Sequence, residues 1–300
     1  MSRPTRTTPG GRAYLDLQNR ARRERRSTQE LQTLYVLERW LARLAASPHA
    51  GQFVLKGGML LAVFDARRPT ADADLLARNL ANDEESVIAR VVDVARVELD
   101  PEDGVVFLVD TATAQSIRDD DLYAGVRITM SCRISTASVK LKLDINFGDP
   151  VTPAPRLLDL PSQRPGIAPV PVLGYPIETV LAEKTSTAIA LREANTRVRD
   201  HVDLYALTGR QAVSYESVRS ALHATTHHRG VEIRPLSAVI GELAEMRQQA
   251  CSAFKKRLGP DAGHLPDSFG DVVAAVVEFV DPLTAGDPRG AWNPDARKWV

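Results

Sequence analysis

The stretch from Phe53 to Leu75, FVLKGGMLLAVFDARRPTADADL, constrains the fold more than any other part of the chain. Its order of residue types predicts a short strand, a tight turn, a buried helical turn, a basic loop and a second strand. Gly57 and Gly58 can adopt backbone angles that are barred to other residues, and they let a ligand come close to the main chain. Because side chains alternate along a strand, Asp72 and Asp74 on the second strand should project from the same face.

Carboxylates that share a strand face predict a bound cation. A strand over 71–75 would hold Asp72 and Asp74 close together, and two like charges repel each other unless a cation lies between them. A later strand over 139–146 alternates apolar and polar residues and places Asp144 on its polar face. Asp144 is therefore a candidate third ligand, and the alternative is an ordinary exposed strand face. Ligands that offer only oxygen atoms favour Mg²⁺.

Composition and charge exclude several classes of protein. A length of 300 residues suits two modest domains or one large one, and 44% hydrophobic residues are enough for a sizeable core. The 38 basic and 38 acidic residues balance, so the net charge gives no evidence about a nucleic-acid partner. Cys132 and Cys251 lie far apart without a metal-binding spacing, which argues against a disulfide framework. No apolar run approaches the roughly 20 residues of a membrane span, so we expect a cytoplasmic protein with no membrane partner.

Changes in residue composition along the chain predict four segments. They are a basic N-terminal arm (1–26), a core (27–150), a proline-rich connector (151–176) and a C-terminal helical domain (177–300). The arginine-rich arm is either a flexible contact for phosphates or the solvated start of a helix. The core should begin with a helix that Ser27 caps and that ends near Ser47. The connector's prolines exclude a helix interior or a central strand, but an edge strand over 168–173 is compatible with them.

Charged residues recur at helical spacing in the C-terminal segment. Lys184, Ala188 and Arg192 are four residues apart, so on one helix they would share a face. Asp200 and Asp203, three residues apart on the next predicted helix, would also share a face. Charges at such spacings usually mark a solvated helix face, and that interpretation stays open beside a functional one.

These motifs, in this order, resemble those of nucleotidyltransferases of the DNA polymerase β type. The resemblance is greatest to the AbiEii/AbiGii toxin family, which includes the MenT toxins of mycobacteria. The first family motif runs K-G-G-[ST], a helix, then R-x-[ST]-x-D-x-D, and it stands here as Lys56–Met59 and Arg68–Asp74. The later motifs K-x-x-x-A-x-x-x-R and R-x-[KR]-D-x-x-D match Lys184–Arg192 and Arg197–Asp203. Met59 departs from the family pattern, in which a Ser or Thr hydroxyl can touch a phosphate.

The resemblance implies a fold and a reaction. The fold would be α+β, with a polymerase-β-type nucleotidyltransferase mixed sheet, flanking helices and a C-terminal helical domain that completes the active site. The reaction would transfer NMP from an NTP, with a pyrimidine base, to the 3′ acceptor end of tRNA and so block translation. Its cofactor would be Mg²⁺, as two ions, with Mn²⁺ as an alternative metal.

The resemblance also assigns roles to residues of this chain. The metal ligands would be Asp72, Asp74 and Asp144. The catalytic residues would be Asp72, Asp74, Lys184, Asp200 and Asp203. The residues that bind the nucleotide would be Lys56, Gly57, Gly58, Thr70 and Arg192. Of these, Lys184 would neutralise charge that builds on the triphosphate, and either Asp200 or Asp203 would orient it.

The implied partners are an NTP, tRNA and a cognate antitoxin encoded nearby, as in a type IV-like toxin–antitoxin system. Two other functions stay open. One is transfer of a nucleotide to a protein, such as the antitoxin. The other is a catalytically degenerate nucleotide-binding protein, which the Met59 departure favours. In the catalytic hypothesis we expect Lys184 to be an exposed lysine of a cleft, formed where the helical half folds back over the strand half, with little effect on folding stability.

Overall fold

The computed structural model describes residues 3–119, 123–148, 150–286 and 289–300, so the first two residues of the predicted basic arm lie outside it. The chain separates into two compact units. Unit 1 comprises Met1–Val63, Pro69–Gly148 and Arg156–Gly174, and unit 2 comprises Phe64–Arg68, Asp149–Pro155 and Tyr175–Val300. Unit 1 contains a mixed sheet with flanking helices, and unit 2 is mainly helical, so the predicted α+β fold class is confirmed.

The helices of the described residues are α1 (Pro9–Glu24), α2 (Thr28–Ala46), α3 (Gly57–Leu60), α4 (Glu84–Ala95), α5 (Ile177–Leu191), α6 (Val198–Thr208), α7 (Tyr215–Arg229), α8 (Leu243–Leu258) and α9 (Phe269–Ala285). None of them is long and apolar enough to cross a membrane. The strands are β1 (Phe53–Lys56), β2 (Ala73–Ala77), β3 (Val105–Asp119), β4 (Tyr123–Ile134), β5 (Ala137–Phe147), β6 (Arg156–Leu160), β7 (Val170–Gly174), β8 (Trp292–Asn293) and β9 (Lys298–Trp299).

Seven strands of unit 1 form one sheet in the order β3-β4-β5-β2-β1-β7-β6. The central β2 runs parallel to β5 and antiparallel to β1, so the sheet is mixed. All four residues of β1 are buried, as expected for a central strand that is covered on both faces. Along β5, Val139, Leu141 and Leu143 are buried on one face, which confirms the predicted alternation.

Strand β7 corrects the expectation that the proline-rich connector could supply only an edge strand. It lies inside the sheet, between β1 and β6. Its contact with β1 pairs Leu55 with Gly174, at the opposite end of β7 from Pro171. Pro171 lies opposite Asp159 of β6, away from that contact. The missing N–H of the proline therefore falls where β7 needs no hydrogen bond to β1.

The basic segment before residue 27 is mostly a helix, which is the second of the two alternatives for it. The Thr8 hydroxyl accepts a hydrogen bond from the Gly11 N–H at the start of α1, and the helix buries Ala13, Leu17 and Ala21. The next helix, α2, begins as predicted, because the Ser27 hydroxyl accepts a hydrogen bond from the Glu30 N–H. Arginines at 22, 23 and 25 remain exposed.

The C-terminal residues of unit 2 are fixed to the helices by two tryptophans. The indole N–H of Trp292 donates to the Thr208 carbonyl over 2.6 Å, and that of Trp299 donates to the Phe279 carbonyl over 2.9 Å. Trp292 packs edge-on against Phe279, while Trp299 stacks on it. The two tryptophans therefore anchor this segment to the helices, and they lie opposite each other where β8 pairs with β9.

Candidate active site

Four charged residues form a row across adjacent strands of unit 1. The strand registers place Lys56 of β1 opposite Asp74 of β2, Asp74 opposite Asp144 of β5, and Asp144 opposite Arg127 of β4. Residues in register on neighbouring strands have side chains close enough to interact. The row therefore alternates as cation, carboxylate, carboxylate, cation, with the two carboxylates adjacent at its centre.

The glycine turn is shaped by one of these carboxylates. Gly57 has a φ of +65°, and a Cβ atom there would lie 1.8 Å from Oδ2 of Asp74. The N–H of Gly58 donates to the same oxygen over 3.4 Å. A side chain at position 57 would be strained by the backbone angle and would collide with the carboxylate. In this structure the group close to the glycine turn is the Asp74 carboxylate, and the predicted approach of a ligand to the main chain there stays a prediction.

Asp74 carries a poorly compensated charge. Burial raises its pKa to about 6 from an ordinary 3.8, and the negative charges of Asp72 and Asp144 act in the same direction. The positive charge of Lys56 and the hydrogen bond from Gly58 oppose the rise without cancelling it. Perturbed carboxylates of this kind are more frequent at functional sites than elsewhere.

Asp72 lies just before β2, which begins at Ala73 and not at residue 71 as expected. Its Oδ1 accepts a hydrogen bond from the Thr70 hydroxyl over 2.9 Å. Thr70 thus holds a carboxylate in place, and its predicted contact with a phosphate stays a prediction. Met59, which departs from the family pattern, is buried at 3% exposure in α3.

Asp144 is held by an arginine that the sequence analysis missed. Nε and Nη2 of Arg127 donate to the two oxygens of Asp144 over 2.7 and 2.6 Å, which is the two-pronged geometry of a strong ion pair. The hydrogen bond from Arg127 to Asp144 raises the pKa of the arginine. The sequence contained a signal for this pair. Strands β4 and β5 join through a two-residue turn at Ser135 and Thr136, and counting outward from this turn along the two strands pairs residue 127 with residue 144.

The three aspartates offer hard oxygen donors of the type that Mg²⁺ prefers. As they stand, no group of three or more His, Cys, Asp or Glu side chains among the described residues could hold a metal ion. Asp144 is engaged by Arg127, but a carboxylate has about four lone-pair positions and can accept further partners. The raised pKa of Asp74 also shows that a cation would be favourable beside it. The residue types and their charge therefore fit a divalent metal.

A second charge network lies within unit 2. Nζ of Lys184 on α5 donates to Asp200 over 2.8 Å and to Asp203 over 2.7 Å, and both aspartates lie on one face of α6, as predicted. Nε of Arg68 donates to the two oxygens of Asp203 over 3.1 and 3.2 Å. Nη1 of Arg197 lies 3.9 Å from Asp200. The two carboxylates thus lie beside three cations, namely Lys184, Arg68 and Arg197.

The pKa directions in this network are those of satisfied ion pairs. Burial disfavours the charged form of Lys184, but the charges of Asp200 and Asp203 outweigh burial and raise its pKa. Burial likewise disfavours ionised Asp200, but Lys184 outweighs it and lowers the pKa of that carboxyl. Both groups are therefore charged at neutral pH.

Two expectations about this region need correction. Lys184 is not an exposed lysine, because its side chain is only 13% exposed and both of its partners are buried. Arg192 does not continue the helix face of Lys184 and Ala188, because α5 ends at Leu191 and Arg192 has a φ of +53°. Its nucleotide-binding role stays a prediction. The network matters for folding as well as for any reaction.

Comparisons with known proteins agree with the sequence motifs. A family model described as "Nucleotidyl transferase AbiEii toxin, Type IV TA system" matches residues 39–275. Two solved structures from Helicobacter pylori are similar, one described as a candidate nucleotidyltransferase and the other as JHP933, each with 16% sequence identity and a TM-score of 0.42. The first similarity covers 86% of this chain and 94% of the other, and the second covers 77% and 95%. No curated protein is similar enough in sequence to count as a relative.

Proposed function

Because this chain belongs to the AbiEii nucleotidyl transferase toxin family, we propose that it transfers NMP from a pyrimidine NTP to the 3′ acceptor end of tRNA. The reaction depends on Mg²⁺ and prevents the tRNA from being charged. A cognate antitoxin restrains the protein. The acceptor and the pyrimidine follow from the resemblance of the motifs, whereas the nucleotidyltransferase class follows from the family itself.

In the proposed reaction the 3′-hydroxyl oxygen of the acceptor attacks the α-phosphorus of the NTP. A new P–O bond forms, the bond to the oxygen that bridges the α- and β-phosphates breaks, and pyrophosphate leaves while the hydroxyl proton passes to solvent. Asp72, Asp74 and Asp144 would hold Mg²⁺, which, when bound, acidifies the hydroxyl and stabilises charge on the phosphates.

Protein groups supply the remaining interactions. Lys56 lies beside the carboxylate pair, and the backbone at Gly57 and Gly58 can accept a phosphate oxygen close to the main chain. Lys184 neutralises charge as it develops on the triphosphate. Asp200 and Asp203 are positioning residues, since both hold the Lys184 ammonium group in one place. The proposal assigns residues of both units to one reaction, and mutations in each unit test it separately.

The observation that carries the proposal is the pair of adjacent carboxylates at Asp74 and Asp144. They lie in register on parallel strands, with Asp72 near enough to raise the pKa of Asp74 and with a glycine turn against the same carboxylate. A purely structural site would be expected to pair these charges fully, as the Lys184 network does. Arg127 pairs Asp144, but the charge of Asp74 is compensated only in part by Lys56 and Gly58, which supports a role in binding a cation.

The test is incubation of the purified protein with total tRNA, Mg²⁺ and each α-³²P-labelled NTP in turn. We expect label in the tRNA fraction with CTP or UTP, and none when EDTA is added or when Asp72→Ala is used. Label in protein instead of RNA would replace the tRNA acceptor by a protein acceptor. If no NTP gives label in either fraction, the degenerate nucleotide-binding alternative is correct.

A further inference from the structure

A pocket of about 420 Å³ lies within unit 2, in the size range of small-ligand sites. Its lining consists of Arg68, the start of α6 and one face of α8. Val198 and Arg199 of α6 line it together with the preceding Thr196 and Arg197, and α8 contributes Ala250, Phe254 and Arg257. Among the described lining residues, four are arginines and none is acidic.

Two of these arginines lie beside buried carboxylates. Arg68 is held by Asp203, and Arg197 lies beside Asp200. The same two aspartates also hold Lys184. At the pocket, Arg199 and Arg257 are exposed to solvent. Like charges brought together in this way repel each other, and an anionic ligand would relieve the repulsion.

The chemistry of the lining suits a phosphate group. The planar guanidinium group donates in a fixed fork that matches phosphate oxygens, which a lysine ammonium group does not. The backbone at the start of the eleven-residue α6 adds the positive end of a helix dipole. Phe254 supplies an aromatic ring, with Cζ of Arg257 5.8 Å from its centre. Positive side chains beside an aromatic ring are the combination that proteins use to hold single-stranded nucleic acid.

We propose that this pocket binds the phosphate of a nucleotide unit, with the base or ribose of that unit against Phe254. The unit belongs either to a nucleic-acid strand or to a free nucleoside triphosphate, since both present the same phosphate chemistry. The inference rests on the proposed nucleotidyl transfer only in its choice of nucleotides as probes. The case for an anion site comes from the residues that line the pocket.

The test measures binding, not transfer, and uses the full chain. The double variant Arg199→Glu/Arg257→Glu is compared with the unmodified protein for two probes. One probe is a fluorescein-labelled single-stranded RNA of eight nucleotides, followed by anisotropy, and the other is CTP, followed by calorimetry. A matched control is Lys256→Glu/Lys298→Glu, which makes the same change in net charge at two exposed residues outside the pocket.

We expect the pocket variant to weaken the binding of one probe by about tenfold or more, and the control to change it by less than about twofold. If the RNA is the ligand, the slope of log K against log salt should also become shallower by roughly 0.7 for each phosphate that the variant no longer neutralises. Phe254→Ala should weaken the binding of the same probe by about tenfold, because the base then has no ring to stack on. Loss of RNA binding assigns the pocket to a strand, and loss of CTP binding assigns it to a free nucleotide.

Equal binding of both probes by the pocket variant and the control would overturn the proposal. Circular dichroism of each variant excludes misfolding as the cause of a loss. Repeating the titrations in an Asp72→Ala background separates the two proposals, because no transfer should occur there. If transfer is absent from the unmodified protein while the pocket variant still loses binding, the function proposal fails and the pocket proposal stands.

Discussion

The two units each contain a cluster of aspartates and basic residues, but the two clusters are in opposite electrostatic states. In unit 2, Lys184 lies within 2.8 Å of both Asp200 and Asp203, and the pKa of Asp200 is lowered. In unit 1, Asp74 lies between Lys56 and a second carboxylate, and its pKa is raised to about 6. Asp200 and Asp203 of unit 2 are buried, as is Asp144 of unit 1, whereas Asp72 and Asp74 are half-buried.

The difference lies in how far the nearby cations offset the cost of burying each carboxylate. The carboxylates of unit 2 are neutralised by side chains of the protein itself, which leaves no deficit for a metal ion to fill. In unit 1, Arg127 neutralises Asp144, whereas the positive charge of Lys56 lowers the pKa of Asp74 without cancelling the rise that burial causes. An ionised Asp74 is therefore costly in the metal-free protein, and a cation that arrives later would stabilise it. The comparison therefore supports the proposal that unit 1 binds the metal and that the aspartates of unit 2 position Lys184.

The largest effect should come from removing a carboxylate of unit 1. Asp72→Ala should reduce nucleotide transfer below detection, while the metal-free protein keeps its free energy of unfolding or gains slightly, because a like charge near Asp74 is removed. Labelled transfer to tRNA and thermal unfolding in EDTA measure the two quantities. Near-full activity of Asp72→Ala with Mg²⁺ would place the active site elsewhere.

Removing the cation of unit 2 should cost both activity and stability. Lys184→Ala should slow transfer by roughly 10²–10³, the usual loss for one preorganised electrostatic group. It should also lower the free energy of unfolding by about 3–5 kcal/mol, because two buried carboxylates lose their shared partner. Urea unfolding measures the loss of stability. The transfer rate is measured under conditions in which circular dichroism shows that the variant is folded.

Lys184→Arg is the matched variant, and it should restore the free energy of unfolding more than the rate of transfer. It keeps the positive charge, but the planar guanidinium group of arginine does not reproduce the compact ammonium group of lysine between two carboxylates. If Lys184→Ala leaves stability unchanged, the ion pairs of unit 2 are not formed in solution. If it leaves the rate unchanged, this helix only supports the fold, and the catalytic cation is Lys56, Lys140 or Lys142.

The third effect is the contribution of Asp74 to the pH dependence of the free energy of unfolding. Its folded pKa of about 6 lies above the ordinary 3.8, so as the pH rises the unfolded chain loses this proton first. The free energy of unfolding should therefore fall between pH 3.8 and 6 by about 3 kcal/mol from this group and stay low above that range. Asp74→Asn should remove this fall in urea titrations of metal-free protein, and an unaltered pH profile would show that Asp74 is not perturbed.

The smallest effect concerns Arg127. Replacing it with glutamine removes a positive charge from beside Asp144 while keeping a hydrogen-bond donor. A cation should then bind more tightly, by about 1 kcal/mol for charges about 4 Å apart that water screens fully, or about threefold to tenfold in affinity. Mn²⁺ titration followed by electron paramagnetic resonance measures the change. Weaker binding in Arg127→Gln would show that the arginine orients Asp144 for the metal.

Much of the local structure could be predicted because it depends on short-range patterns. The cap at Ser27 and the alternation along β5 follow from neighbouring residues, and both are confirmed. The shared face of Asp200 and Asp203 follows from helical spacing in the same way. The domain boundaries proposed at residues 27, 151 and 177 stay predictions beside the two compact units of the structure.

The parts that could not be predicted depend on pairing between distant segments. Arg127 meets Asp144 only through the register of a hairpin, and Arg68 meets Asp203 across 135 residues of sequence. The inner position of β7 depends on where β1 contacts it, which no proline pattern reveals. The burial of Lys184 likewise depends on partners contributed by another helix.

Metal binding tests the contrast between the two units most directly. Mn²⁺ is titrated into the metal-free protein, Asp74→Asn and Asp203→Asn, and bound ions are counted by electron paramagnetic resonance with native folding verified by circular dichroism. We predict that the unmodified protein and Asp203→Asn bind Mn²⁺ with similar affinity, and that Asp74→Asn loses this binding. Retained binding in Asp74→Asn together with loss in Asp203→Asn would contradict the assignment of the metal to unit 1.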